Sequence, residues 1–156
     1  MKNIRISIIA MFTVALLLSA CSAEKSDADA EVAAEIMIPS RIDVNTETEL
    51  SVKVVQGSTA VDDANDVQFE IWTANSDDSE LITAKHSKDG KYAIHISFAD
   101  EGLYYVQTHI TARGTHIMPT KAFIVGTATK EQLNELEKYN QQQDTPNIPN
   151  GEHSHH

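Results

Sequence analysis

The stretch Asp100-Glu101-Gly102-Leu103-Tyr104 is the strongest local indication of the fold. It has the D-x-G-x-Y pattern of a tyrosine corner, in which a tyrosine hydroxyl bonds back to nearby backbone at the start of strand F of a sandwich. Val106 then stands where antibody domains place the second cysteine of their inter-sheet disulfide, so we expect packing to replace that bond. An ordinary turn before a strand would also explain so short a motif. The surrounding sequence decides between a tyrosine corner and such a turn.

Segments of alternating apolar and polar residues lie on both sides of this motif. Apolar residues recur at every second position, as in half-buried strands, over residues 49–55, 67–72 and 92–98. A turn at 88–91 precedes the last of these, and two further β-type segments cover 103–111 and 118–125. Several short strands at this spacing, together with the tyrosine corner, predict an all-β fold: an immunoglobulin-like antiparallel β-sandwich.

The composition divides the chain into five segments. We expect a lipoprotein signal peptide at 1–20, a flexible tether at 21–34, the sandwich at 35–126, a short helix at 127–140 and a disordered His-containing tail at 141–156. Thr129 and Gln132 form a capping box at the start of the helix. Leu133 and Leu136 follow one turn apart, and we expect them either to pack on the sandwich or to be solvated.

The N-terminus predicts a lipid anchor. Lys2 and Arg5 precede an apolar segment at 6–18, and Leu18-Ser19-Ala20-Cys21 resembles the bacterial lipobox, in which the cysteine thiol is diacylated and the chain is cut just before it. A plain secretory signal with an incidental cysteine is the alternative. The apolar segment is shorter than the ~20 residues of a membrane-spanning helix. We therefore expect a protein anchored by Cys21 to the extracytoplasmic face of the cell membrane.

Composition excludes several classes of function. Cys21 is the only cysteine, and the expected lipid occupies its thiol, so a disulfide framework, a cysteine nucleophile and a thiolate metal site are all excluded within one chain. Removal of the signal takes away two basic residues and no acidic one, which changes the formal charge from −11 to −13 and argues against nucleic-acid binding. The G-x-S-x-G, H-E-x-x-H, Walker A and dinucleotide motifs are missing. We expect a monomeric protein that is not an enzyme.

Two histidines and one methionine flank a predicted hairpin. If Arg113-Gly114 is a two-residue loop, facing residue numbers sum to 227, so Thr111 opposes His116 and His109 opposes Met118. His109, His116 and Met118 then share one outward face, where two imidazoles and a thioether suit a copper ion. A three-residue loop would shift this register, and a polar face whose histidines bind no metal is the alternative interpretation.

Other polar residues are placed by the expected strand order. If strand C lies beside strand F, Glu70, Trp72 and Tyr105 join the hairpin on its outer face as outer-shell or partner-contacting residues. His95 should lie on the opposite sheet, and we assign no role to it or to His86. The tail contributes His153, His155 and His156, which could capture a metal ion loosely as a secondary site.

The chain as a whole resembles the YtkA-like domain family of small bacterial lipoproteins, which is related to FixH-like proteins. The resemblance covers about residues 35–140 and rests on Val67-Gln68-Phe69-Glu70-Ile71-Trp72, Gly90-Lys91-Tyr92-Ala93-Ile94, 102–113, His116-Ile117-Met118-Pro119 and Ile124-Val125-Gly126. It implies an immunoglobulin-like sandwich outside the membrane and, through the FixH side, a connection to copper and oxidase assembly. Tyr105, His109, His116 and Met118 match the family pattern. The rival function is a non-catalytic module that docks on a membrane complex without metal.

Overall fold

The computed structural model describes residues 30–74, 76 and 78–143. Its strands are β1 (Val32–Met37), β2 (Thr48–Gln56), β3 (Thr59–Ala60), β4 (Asp66–Thr73), β5 (Glu80–Thr83), β6 (Lys85–His86), β7 (Lys91–Ile96), β8 (Gly102–Ala112), β9 (Thr115–Ile117) and β10 (Thr120–Val125), and the helix α1 is Lys130–Gln143. The predicted all-β sandwich with a short C-terminal helix is confirmed. The segment expected to be a signal peptide, the expected lipidation site Cys21 and the histidines at 153–156 lie outside the described residues.

Two antiparallel sheets form the sandwich. The first has the order β1-β2-β7-β6, with β3 paired to β2, and the second has the order β10-β8-β4-β5, with β9 paired to β8. Read as strands A-B-E-D and G-F-C-C′, this is the strand order of an immunoglobulin-like sandwich. β8 therefore corresponds to strand F and β4 to strand C, and the two are hydrogen-bonded neighbours as expected.

The core lies between the alternating inner faces of both sheets. It is built from fully buried apolar side chains that include Leu50, Val52, Val54, Phe69, Val106 and Ile110. The Tyr104 hydroxyl donates a hydrogen bond of 2.9 Å to the carbonyl oxygen of Asp100, which confirms the tyrosine corner. Its ring packs in the core with Phe98 and Phe123, at centroid distances of 4.9 and 5.8 Å. Val106 is completely buried at the position of the missing disulfide.

Segment boundaries differ from those expected at the start of the sandwich and at both ends of the helix, which begins at Lys130 rather than at 127. β1 begins at Val32, inside the segment assigned to the tether, and Val32 and Ile36 enter the core because the strand pairs with β2. α1 continues to Gln143, three residues beyond the expected end at 140. Its N-terminus has the predicted capping box. The backbone N–H of Thr129 donates to the Gln132 side-chain oxygen, and the backbone N–H of Gln132 donates to the Thr129 hydroxyl.

The β8–β9 hairpin has the predicted two-residue loop. Arg113 and Gly114 both adopt positive φ, 52° and 75°, as a type I′ turn requires. The pairs Thr111–His116 and Ile110–Ile117 confirm the register in which facing residue numbers sum to 227. The ladder is interrupted at Met118-Pro119 and resumes in the same register where Gln107 pairs with Thr120.

Candidate metal site on the outer face

The outer face is defined here as the solvent-side surface of the sheet β10-β8-β4-β5. Directly paired residues point to the same side of a sheet, so register places its side chains in rows. The row nearest the hairpin tip holds Thr111 and His116. In the next row, Gln68 of β4 pairs with His109 of β8. The register that β8 keeps with β9 and with β10 puts Met118 across from His109, on the side away from β4.

Glu70 holds the His109 imidazole in place. Its Oε2 lies 2.8 Å from Nε2 of His109, and its Oε1 accepts a hydrogen bond of 2.8 Å from the Ser79 hydroxyl. Both contacts lower the pKa of the Glu70 carboxyl below its ordinary value, and the hydrogen bond from Ser79 has the larger effect. Since Nε2 faces the carboxylate, Nδ1 is the His109 nitrogen available to a metal, as in carboxylate–histidine–metal arrangements.

His109 and His116 lie close enough to share an ion. Their ring centroids are 6.1 Å apart and their planes differ by 26°. Imidazole nitrogens sit about 2 Å from a bound metal, so two rings that share one ion have centroids about 4.5–6.4 Å apart. Met118 is 50% exposed, and the hairpin register puts it across from His109. The two histidines named from the sequence are therefore brought together, and the register puts Met118 on the same open surface.

The opposite end of the outer face is covered by α1. Leu136 and Tyr139 pack on Leu103, Tyr105 and Ala122. Of the two leucines for which packing and solvation were both left open, Leu136 packs on the sheet and Leu133 is 50% exposed, because only one apolar stripe of a mostly polar helix contacts the sheet.

Tyr105 and Trp72 lie under or beside this helix. Their rings stack with centroids 5.7 Å apart, so the predicted common face of the two residues is observed. The Tyr105 hydroxyl donates a hydrogen bond of 2.8 Å to Glu135 of α1. Burial, and then the Glu135 carboxylate, raise the pKa of Tyr105 to about 12. Four positions along β8 separate Tyr105 from His109, roughly 13 Å, so Tyr105 bonds to the helix, whereas Glu70 contacts the candidate site directly.

Two residues of the site were missed by sequence reasoning. Gln68 pairs directly with His109, and Ser79 anchors Glu70. The alternation of β4 already placed Gln68 outward, but its pairing with His109 depends on the offset between two strands about forty residues apart. Ser79 lies in an irregular connection before β5 and has no recognisable sequence signal.

The remaining histidines lie elsewhere. His95 is on β7 of the first sheet, as expected, with Nε2 3.8 Å from Glu49. His86 contacts Asp62 at 2.9 Å. Among residues 30–74, 76 and 78–143, no group of three or more His, Cys, Asp or Glu side chains is arranged to hold a metal ion. In the same part of the chain no helix is both long and apolar enough to cross a membrane.

The solved structures to which this chain is similar are distant in sequence. An engineered protein is 13% identical with a TM-score of 0.50, and the match covers 62% of this chain and 20% of that one. The PmoD soluble domain from Methylocystis sp. is 14% identical over 61% of this chain and 90% of its own, with a TM-score of 0.42. A superoxide reductase (neelaredoxin) from Ignicoccus hospitalis is 8% identical over 60% and 80%, with a TM-score of 0.41.

The first of these similarities shows a shared fold and nothing about activity, and the chain spans only a fifth of that protein's length. The other two are too remote to support an inference. A search of curated protein sequences found no match. The sequence pattern of the YtkA-like family, in contrast, matches residues 26–109. The match includes Glu70, Tyr105 and His109 but ends before His116 and Met118. Since it covers more than half of the sequence, the chain belongs to the YtkA-like family.

Proposed function

We propose that this protein is a lipid-anchored extracytoplasmic domain that binds a copper ion for a membrane complex. The single observation that carries the proposal is the 6.1 Å distance between the His109 and His116 rings on the outer face, and the hairpin register adds Met118 across from His109. Sulfur favours Cu(I), and imidazole accepts both oxidation states, so this donor set suits copper better than a hard cation. The Glu70 carboxylate orients His109 in the manner of a second ligand shell.

The ion is cargo in this proposal, and we assign the protein no catalytic role. The site is shallow and lies on a sheet surface, so an ion bound there remains accessible to a docking partner. Two imidazoles and one thioether also leave the ion incompletely coordinated, which favours transfer over permanent storage. Delivery to a membrane complex, or help in its assembly, follows from this exposure and from the proposed anchor at Cys21.

A non-catalytic docking module without metal is the second candidate function. It is favoured by two exposed apolar side chains beside the site: Met118 and Leu81, which is 57% exposed and pairs with Glu70. Contiguous exposed apolar patches mark sites of protein interaction, and in this function Met118 and Leu81 would supply the apolar part of such a patch. In this function the Glu70–His109 pair would be a structural contact beneath a partner-binding surface.

A copper titration separates the two functions. Trp72 is the only tryptophan and lies on the outer face, so copper bound near His109 should quench its fluorescence. We expect saturation near one equivalent in a chain whose His153, His155 and His156 are changed to alanine, and loss of that saturation when His116→Ala is added. Weak, unsaturated quenching together with recovery of a membrane protein by pull-down would favour the docking module.

The anchor is tested independently. We expect the wild-type protein in the membrane fraction and the Cys21→Ser protein released from it or retained as an unprocessed precursor. Unchanged processing and membrane association of Cys21→Ser would show that Cys21 is not lipidated.

A further inference from the structure

Three polar side chains lie on one diagonal of the outer face, with His109 of β8 at its centre. Glu70 of β4 pairs with Gln107, which places it one row from His109 toward the end covered by α1. His116 of β9 pairs with Thr111, which places it one row from His109 toward the hairpin tip. Since β4 and β9 adjoin β8 on its two sides, Glu70 and His116 flank His109 from opposite directions.

Ser79 extends this diagonal beyond β4. It lies directly before β5, and its hydroxyl donates a hydrogen bond of 2.8 Å to Oε1 of Glu70. Oε2 of the same carboxylate lies 2.8 Å from Nε2 of His109, whose ring centroid is 6.1 Å from that of His116. One carboxylate thus connects a serine of an irregular segment to the two imidazoles of the candidate metal site.

The Glu70 carboxylate determines which nitrogen of His109 carries the proton. Carboxylates are ionised at neutral pH and then only accept hydrogen bonds, so the Nε2 that faces Glu70 carries the proton of the neutral imidazole. Nδ1 then keeps its lone pair for a metal ion. Because the two ring nitrogens point away from each other, Nδ1 lies on the side of the ring opposite Glu70. The diagonal places His116 on that side.

Glu70 needs a second contact to hold this arrangement. Its side chain is 30% exposed and has several rotatable bonds, so a contact with His109 alone would leave the carboxylate free to turn toward water. The Ser79 hydroxyl binds the other carboxylate oxygen. Both oxygens of Glu70 are then held, one by the serine and one by the imidazole.

We propose that Ser79 is a positioning residue of the copper site, which acts through Glu70 to keep the His109 proton on Nε2 and Nδ1 free for the ion. This inference rests on the proposed function and deepens it by naming the donor atom of His109 and the residue that selects it. Without the serine, Glu70 turns away for part of the time. His109 then populates the tautomer whose Nδ1 is protonated and does not bind a metal.

The tautomer is measured without copper, by nitrogen-15 NMR of the imidazoles in the full chain at about pH 8, where imidazole is ordinarily neutral. We expect His109 to carry its proton on Nε2 in the wild type and in Ser79→Thr, which keeps the hydroxyl, and to lose part of this population in Ser79→Ala. Ser76→Ala is the matched control, because this serine of the same connection contacts the backbone of Asp78. An unchanged tautomer in Ser79→Ala, or an Nδ1-protonated wild type, would overturn the inference.

Cu(I) affinity gives the second measurement, in a chain whose three terminal histidines are changed to alanine. Ser79→Ala should weaken binding by roughly threefold to tenfold, less than the roughly 10–100-fold typical of groups that bond to a metal ligand directly. Added to Glu70→Ala, it should cause no further loss, because Ser79 acts through Glu70. An equal loss in both backgrounds would refute this role and leave the metal site intact. Absence of saturable binding in the parent chain would instead refute the proposed function, and the inference with it.

Discussion

Glu70 Oε2 lies 2.8 Å from Nε2 of His109, across two neighbouring strands and one row apart on the sheet. The contact joins the residue that the sequence placed outward on β4 to the histidine that precedes the hairpin. It fixes the orientation of the imidazole before any metal or partner arrives. Four of the properties that follow from the structure can be measured without knowing the partner.

Glu70→Gln should make stability less sensitive to acid. Hydrogen bonds from Ser79 and then His109 lower the folded-state pKa of Glu70, so its contribution to the free energy of unfolding is complete above the unfolded-state pKa of about 4.3. That contribution is lost as pH falls through the lower folded-state value. We expect urea denaturation to show the variant less stable at neutral pH, with the difference shrinking in acid. Glu80→Gln, at an exposed position on β5, is the matched control. A difference in stability between Glu70→Gln and the wild type that stays constant at every pH would contradict this role of the Glu70 carboxylate.

Met118→Leu should separate the two oxidation states of copper. The change keeps the side-chain volume but removes the soft sulfur donor, so Cu(I) affinity should fall more than Cu(II) affinity. His116→Ala should weaken both, whereas His95→Ala, on the first sheet, should weaken neither. Competition with chelators specific for each oxidation state measures these affinities. A loss for His95→Ala as large as that for His116→Ala, or intact Cu(I) binding in Met118→Leu, would show that the site is wrongly placed.

Tyr105→Phe should remove part of the alkaline instability of the protein. The folded-state pKa of Tyr105 is raised to about 12. Its contribution to the free energy of unfolding is therefore complete below the unfolded-state pKa of about 10. This stability is lost as pH rises from about 10 to 12. Thermal denaturation of the variant should therefore be less pH-dependent in that interval.

Glu135→Gln offers a second measurement of the same contact. Because burial is the larger cause of the shift, we expect the Tyr105 pKa to fall but to stay above its ordinary value, as followed by phenolate absorbance. An unchanged titration would mean that α1 does not hold Glu135 against the tyrosine in solution.

Thr108→Val should stabilise the protein. Thr108 is completely buried between the sheets, and within the described residues its hydroxyl oxygen has no hydrogen-bond partner. Valine has nearly the same shape without the unsatisfied polar atom, so we expect a gain of about 1 kcal/mol in the free energy of unfolding. This corresponds to a rise of about 3–5 °C in Tm. Thr108→Ala, which removes the hydroxyl but leaves a cavity, should not give this gain, and a destabilised valine variant would refute the reasoning.

The sequence predicted those features that depend on short-range patterns. The hairpin register followed from Arg113-Gly114, because two adjacent residues at positive φ fix a two-residue turn. The inner faces of β2 and β4 followed from alternation, and the tyrosine corner from five adjacent residues. In each of these cases the information lies within about ten positions of the chain.

Features set by long-range packing were not accessible in the same way. The alternation of 32–37 is obscured by its two alanines, so the pairing that draws Val32 into the core could not be read locally. The offset that puts Gln68 opposite His109 depends on how two distant strands align. The position of α1 over Tyr105, and hence the exposure of Leu133, depends on a surface formed by three strands.

The packing of Val106 in place of a disulfide also determines how the protein responds to its chemical surroundings. With Cys21 the only cysteine in the chain, nothing in the sandwich can be reduced, so thiols and ascorbate leave its covalent structure unchanged. The same folded protein can therefore meet copper under reducing and oxidising conditions alike. A domain cross-linked by a disulfide would lose that bond to the reductants that maintain Cu(I), whereas this one would keep its shape in either oxidation state of the copper ion that we propose it binds.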